Sequence, residues 1–248
     1  MSKAAAPVRL DKLLANLGYG SRREVQALVR AGRVVLDGVP VTTADERVAL
    51  SPQLPQRLSI AGVPCDPPPG LVLAMHKPLG MTCSHKEPGP LVYDLLPPRW
   101  RLRDPPLSSI GRLDKDTSGL LLLTDDGDLL HKIISPKARI SKRYRATLAR
   151  PLRGDEGALF ASGTLTLDGE TKPLAPAKLE ILSPQNAELT ITEGRYHQVR
   201  RMFAATGNHV LSLHRDRIGA LMLDPALDAG AMAILDANAV KLVFNDES

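Results

Sequence analysis

The stretch CDPPPG, residues 65 to 70, constrains the fold of this chain most. Three consecutive prolines fix φ and remove three backbone donors, so neither helix nor sheet ladder passes through. The chain is therefore read as two folding regions, 8–66 and 72–245, with 67–71 as linker. A length of 248 residues accommodates one or two domains. With 43% hydrophobic but only 3% aromatic residues, the core must be built from Leu, Val, Ile and Ala.

Residues 9–36, RLDKLLANLGYGSRREVQALVRAGRVVL, have the pattern of two short helices feeding a strand. Leu10, Leu13, Leu14 and Leu17 form one stripe, closed by Gly18 and Gly20. Ser21 and Glu24 have capping-box spacing, and Val25, Leu28 and Val29 point inward before Gly32. RVVLDGVPVT reads as a hairpin turning at Asp37-Gly38. Residues 8–36 carry six Lys/Arg, namely Arg9, Lys12, Arg22, Arg23, Arg30 and Arg33, against two acids. Arg22 and Arg23 beside a helix N-terminus oppose the macrodipole, which suggests charge retained for another purpose. A solvated helix face is the alternative.

The second region mixes strands and helices without GxGxxG or continuous βαβ units. Its fold class is α+β with a mostly antiparallel sheet. Net charge is +5 and the pI about 9.3. Clustered on one face, that charge favours phosphate-rich partners. Two cysteines, Cys65 and Cys83, form no CxxC pair, so a disulfide or zinc framework is not expected and a reducing compartment is. No signal peptide and no membrane-spanning apolar run are evident, which points to a cytoplasmic protein.

Three segments could carry chemistry. In GRLDKDTSGLLLLTDDG, 111–127, Asp114 stands between a Gly-Arg turn and an apolar run that reads as a buried strand. A carboxylate there can be a nucleophile, a general base, a metal ligand or a turn former. Asp116 and Asp125-Asp126-Gly127 read as turn or cap residues, and no acid or histidine cluster converges on a metal. In KIISPKARISKRYR, 132–145, Tyr144 lies among Lys142, Arg143 and Arg145. That mixture suits a phosphate and a stacked base together, or simply an inward strand residue. In EGRYHQVRRMFAATGNHV, 193–210, a helix with Val199, Met202, Phe203 and Ala205 inward carries Arg200 and Arg201. A buried guanidinium here demands a carboxylate, for which Asp114 is the candidate. His197 reads as an ordinary satisfied histidine.

Together GRLDKDTSGLLLLTDDG, SKRYRATL and EGRYHQVRRMFAATGNHVLSLHRDRIG closely resemble the three motifs of the pseudouridine synthases, in particular the RsuA-type branch. RLDKLLANLGYGSRREVQALVRAGRVVLDG resembles the S4 RNA-binding domain that this branch carries, and HKPLGMTCS, 76–84, the start of its catalytic domain. The resemblance covers nearly the whole chain in the expected order.

It implies isomerisation of uridine to pseudouridine in ribosomal RNA, without metal or cofactor. The N1–C1′ bond breaks, the uracil turns and C5 rejoins the sugar. It makes Asp114 the essential aspartate, attacking C1′ or removing a sugar proton. Tyr144 becomes the active-site tyrosine stacked on the flipped uracil, and Arg200 the cation paired to the aspartate. Arg112 would occupy space in the RNA near the flipped nucleotide, and Gly119, Leu120 and Leu121 would be framework. Lys142 and Arg201 would contact substrate, while Arg9, Lys12, Arg22, Arg23, Arg30 and Arg33 would grip RNA phosphates. HQVRRMFAATGNHV and LHRDRIG look most like the member acting on small-subunit rRNA, and a monomer is expected. The alternatives are a synthase for large-subunit rRNA, an inactive S4 RNA-binding protein and a nucleoside hydrolase.

Overall fold

The computed structural model describes residues 6–84 and 86–245, which divide into two compact units. The first holds the chain up to Leu71, together with Leu96–Ser108 and Thr124–Gly127. Helices α1 (Leu10–Asn16) and α2 (Arg22–Arg30) lead into strands β1 (Val34–Leu36) and β2 (Val39–Pro40). The stripe Leu10, Leu13, Leu14 and Leu17 is buried with Val25 and Val29 in one apolar cluster. The capping box is present: Glu24 N–H donates to Ser21 Oγ at 3.3 Å, and Ser21 N–H to Glu24 Oε2 at 2.6 Å. Asp37 and Gly38 both take positive φ, as the two-residue hairpin requires. Strands β3 (Leu58–Ile60) and β4 (Val63–Pro64) complete an antiparallel sheet of order β2-β1-β3-β4.

The proline segment is irregular but firmly held. Asp125 Oδ1 accepts from Gly70 N at 2.8 Å and Leu71 N at 2.9 Å. Arg103 donates to Pro67 O and Pro68 O and pairs with Asp125 at 2.7 Å, both side chains 1% exposed. Asp125 is thus the clamp of the linker, more than the turn residue expected. Leu96–Ser108 belongs to the same unit: the Arg99 guanidinium lies 4.3 Å over the Tyr19 ring and pairs with Asp66. At Gly18 a Cβ would meet Arg99 O at 2.6 Å, so glycine is needed for that approach.

The second unit is organised on a 9-stranded sheet. Its main strands are β5 (Val72–Lys77), β6 (Thr117–Thr124), β7 (Lys142–Leu148), β8 (Lys178–Ser183), β9 (Asn186–Ile191), β10 (Val210–Ile218) and β11 (Met232–Ile234). They run in the order β8-β9-β7-β10-β6-β5-β11. The pairings of β8 with β9, β9 with β7, β7 with β10 and β5 with β11 are antiparallel, and β10 with β6 is parallel. The class is α+β. Leu120 to Leu123 of β6 are fully buried, because a strand covered on both faces needs no polar alternation. Helices α3 (Gly127–Ile134) and α4 (Gln198–Ala205) belong to the same region. No helix among the described residues is long and apolar enough to cross a membrane.

Candidate active site

The loop entering β6 is set by its backbone contacts. Lys77, fully buried at the end of β5, spends its ammonium on three carbonyls: Pro78 O at 3.1 Å, Asp114 O at 3.0 Å and Thr117 O at 2.8 Å. Gly80 N donates to Lys115 O, and Thr117 N to Asp114 O. With its own carbonyl and that of Lys115 tied down, Asp114 lines a cavity of about 530 Å³. A second cavity of about 620 Å³ shares Arg112, Asp114 and His197 with the first. The Asp114 side chain is one-third exposed, at 33%. Burial pushes its carboxyl up from the usual range, His197 and Arg200 pull it down, and Asp116 raises it further.

The side chain that meets the Asp114 carboxylate is His197, with Nε2 at 3.4 Å from Oδ1. His197 takes a positive φ at the start of α4 and stacks on the exposed Tyr196 ring at 3.9 Å. The expected pairing of Arg200 with Asp114 is not what the structure shows. Arg200 Nη2 binds both Asp116 Oδ2 and Asp116 O at 2.9 Å, and Nη1 donates to Val210 O at 2.9 Å. Asp116 is thereby the residue that fastens the loop to α4. Its carboxylate is the more exposed of the two and gives up less hydration on pairing.

β7 and β10 also line the cavity. Lys142 and Tyr144, two apart on β7, share one face and both line it. Arg143 and Arg145 face the other way, where Glu188 and Asp216 pair with them. The aromatic residue and cations adjacent in sequence are thus sorted onto two faces by strand period. Arg215 stands opposite Tyr144 on β10. It is buried, donating from Nε to Leu120 O at 2.8 Å and from Nη1 to Tyr144 Oη at 3.3 Å. Gly119 makes room for this strand: its φ is +113°, and a Cβ would lie 2.1 Å from Arg215 O.

The sequence-derived residues therefore divide. Asp114, Tyr144, Lys142 and Arg112 are brought to the cavity, Arg112 with its side chain 64% exposed and 3.7 Å from Glu87. Arg201 is not: it binds Glu170 Oε1 and Asp168 O, both at 2.6 Å, and so holds a loop instead of facing the cavity. Arg9, Lys12, Arg22, Arg23, Arg30 and Arg33 are exposed on the first unit. Arg9 and Arg22 both reach the buried Asp11, at 3.0 and 3.7 Å, which offsets the unfavourable position of Arg22 at the helix start. Arg215 and His197 were not singled out from sequence as site residues. Strand register for the first, and the histidine shortly before Arg200 for the second, were the available signals. No group of three His, Cys, Asp or Glu among the described residues is placed to hold a metal ion.

Residues 71–205 match the family model for RNA pseudouridylate synthase, and residues 8–51 that for the S4 domain. An uncharacterized RNA pseudouridine synthase of Bacillus subtilis is 42% identical over 229 residues, covering 90% of this chain and 92% of the relative. The ribosomal small subunit pseudouridine synthase A of Escherichia coli is 41% identical over 228 residues, covering 90% and 94%. That of Vibrio cholerae is 37% identical, covering 96% and 100%. A crystal structure of a pseudouridylate synthase superposes with a TM-score of 0.65 at 37% identity, covering 95% of this chain and 99% of that one.

Proposed function

Because this chain belongs to the RNA pseudouridylate synthase family and carries an S4 domain, we propose that it isomerises a specific uridine of small-subunit ribosomal RNA. The observation that carries the reading is the placement of Asp114 and Tyr144 on one cavity, the carboxylate partly exposed and the aromatic residue buried. A flipped nucleotide needs both: a ring to stack its base and a carboxylate to meet its sugar. Asp114 attacks C1′ or takes a sugar proton, Tyr144 stacks on the uracil, and Arg112 lies at the entrance. Arg200 acts through Asp116, positioning the Asp114 loop.

The small-subunit target is supported by the relatives named for it, which are alike over nearly their whole length. The exposed arginines of the first unit supply the phosphate grip, and the protein works as a cytoplasmic monomer. The test is mapping pseudouridines in both ribosomal RNAs from cells with and without the protein, with complementation by wild type and Asp114→Asn. Loss of one small-subunit pseudouridine, restored by wild type alone, is expected. Loss from large-subunit RNA would redirect the target, and an unchanged map would overturn the reading.

A further inference from the structure

Several buried and half-buried arginines of this protein meet carboxylates: Arg103 with Asp125, Arg143 with Asp216, Arg200 with Asp116, Arg201 with Glu170. Two cations at the cavity break that pattern. Among the described residues Lys142 Nζ has one acceptor, Ile140 O at 2.9 Å. Among the described residues Arg215 hydrogen-bonds only the neutral Leu120 O and Tyr144 Oη, and its buried Nη2 has no partner. The other carboxylates on the cavity are engaged elsewhere, Asp114 facing His197 and Glu193 facing Arg195. Unpaired positive charge in a partly desolvated pocket is costly, and the Lys142 ammonium shows it. Burial first, and Arg215 second, push its pKa down to about 8. An anion arriving beside these two groups removes that cost.

Building on the proposed isomerisation, we infer that Lys142 and Arg215 form the anion-receiving wall of the pocket, stabilising the uracil ring while it is detached from the sugar. When N1–C1′ breaks, its electron pair leaves with the ring, which becomes an anion with charge spread over N1 and the two carbonyl oxygens. At C1′ the electron deficit is met by a bond from an Asp114 oxygen, or by the C2′–H electrons as Asp114 takes that proton. Either way the carboxylate charge passes to the ring, so negative charge leaves Asp114 for a group held in the cavity that Lys142 lines. Lys142 donates a hydrogen bond to a ring oxygen. Arg215 is a positioning residue: it holds the Tyr144 hydroxyl and adds its fixed charge behind the stacked ring. C5 then bonds to C1′ as the Asp114 oxygen leaves that carbon, or as Asp114 returns its proton to C2′. This restores the carboxylate and neutralises the ring. The C5 proton is lost to solvent while N1 takes one up, giving pseudouridine. A donor-only wall also favours uracil, whose C4 oxygen accepts, over cytosine, whose C4 amino group does not.

The test uses the full-length protein in single turnover on small-subunit rRNA transcripts carrying uridine or 5-fluorouridine. It follows conversion of the N-glycoside by chromatography of nuclease digests. Fluorine stabilises the departing anion by itself, so it substitutes for the wall. Lys142→Met should slow the uridine transcript about 100-fold, the scale of losing one oxyanion donor. It should slow the 5-fluorouridine transcript clearly less, with RNA affinity unchanged, and Lys142→Arg should restore most of the rate. Arg215→Lys, which keeps the charge but not the fork to Tyr144 and Leu120, should show an intermediate loss. Equal slowing of both transcripts, no slowing, or a loss confined to RNA affinity would overturn the inference. No conversion by the wild-type protein of any uridine in either ribosomal RNA would instead overturn the proposed function, and the inference with it.

Discussion

Arg200 holds Asp116 at two points, its carboxylate and its backbone oxygen, each 2.9 Å from Nη2. Asp114, two residues earlier, is left to face His197 and feels Asp116 and Arg200 only through space. The two neighbours act with opposite sign: Asp116 raises the Asp114 carboxyl and Arg200 lowers it.

The acid limb of the rate profile should therefore move in opposite directions for the two partners. Asp116→Asn removes a like charge, so Asp114 stays ionised to lower pH and the limb shifts down. Arg200→Ala removes an opposite charge and shifts it up, with an added loss of rate as the loop is released. Arg200→Lys keeps the charge and should hold the limb near its wild-type position. These shifts are read from kcat/KM against pH by tritium release from C5-labelled RNA. Movement of both limbs in the same direction would contradict the through-space coupling.

Asp114 should also be a liability to stability. Its folded-state carboxyl is raised, chiefly by burial, so the folded protein binds that proton more readily than the unfolded chain. The charged form is then unfavourable above the folded pKa, and the penalty disappears below the unfolded value. Asp114→Asn should abolish isomerisation yet unfold at higher denaturant concentration than wild type at neutral pH. The gap should close as the pH falls below the ordinary carboxylate range. A variant less stable than wild type at neutral pH would show that the His197 contact outweighs burial.

Tyr144 separates stacking from hydrogen bonding. Tyr144→Phe keeps the ring but removes the acceptor at 3.3 Å from Arg215 Nη1, leaving a second buried donor unpaired. That should cost about 1–3 kcal/mol in denaturant unfolding, with RNA binding intact and turnover reduced. Tyr144→Leu should lose binding to the flipped base as well. Full turnover by the Phe variant would leave the hydroxyl without a part in the reaction.

What was legible in the sequence was local. The leucine stripe of α1, the Ser21–Glu24 box, the Asp37-Gly38 turn and the apolar strand β6 all follow from spacing within a few residues. Partners distant in sequence were not legible. Arg215 meets Tyr144 through a bulged antiparallel register, and no periodicity in either strand specifies which residue faces which. The choice of Asp116 over Asp114 by Arg200 depends on where β6 and α4 place their ends. Likewise nothing local tells that Leu96–Ser108 joins the first unit, because Arg99 and Arg103 find Asp66 and Asp125 only after folding.

The linker clamp gives a stability prediction of a different kind. Arg103 and Asp125 are both buried, and Asp125 also holds the Gly70 and Leu71 amides. Asp125→Ala should destabilise by about 3–5 kcal/mol, since a buried guanidinium loses its counter-charge. Arg103→Met with Asp125→Asn should cost less than the sum of the singles, because neither charge is then stranded. Strict additivity in a double-mutant cycle would mean that the pair does not act as a unit.

The basic residues of the first unit should separate by what they already touch. Arg23, Arg30 and Arg33 are exposed, whereas Arg9 and Arg22 are drawn to the buried Asp11, whose carboxyl they hold below the usual range. Arg23→Ala should therefore act on RNA binding alone. Removing one cation from a phosphate reduces the slope of log affinity against log salt by about 0.7 to 0.9, without change in unfolding. Arg22→Ala should reduce the slope and also weaken the fold, because Asp11 loses part of its compensation. The Asp11 contribution is present above the unfolded carboxylate pKa and is lost as pH falls through the depressed folded value. The excess instability of Arg22→Ala should thus fade in acid, while its binding defect remains at neutral pH. Titrations of small-subunit rRNA at several salt concentrations, with unfolding curves at two pH values, decide the matter. If Arg22→Ala and Arg23→Ala match in both slope and stability, the Asp11 contact does not distinguish them.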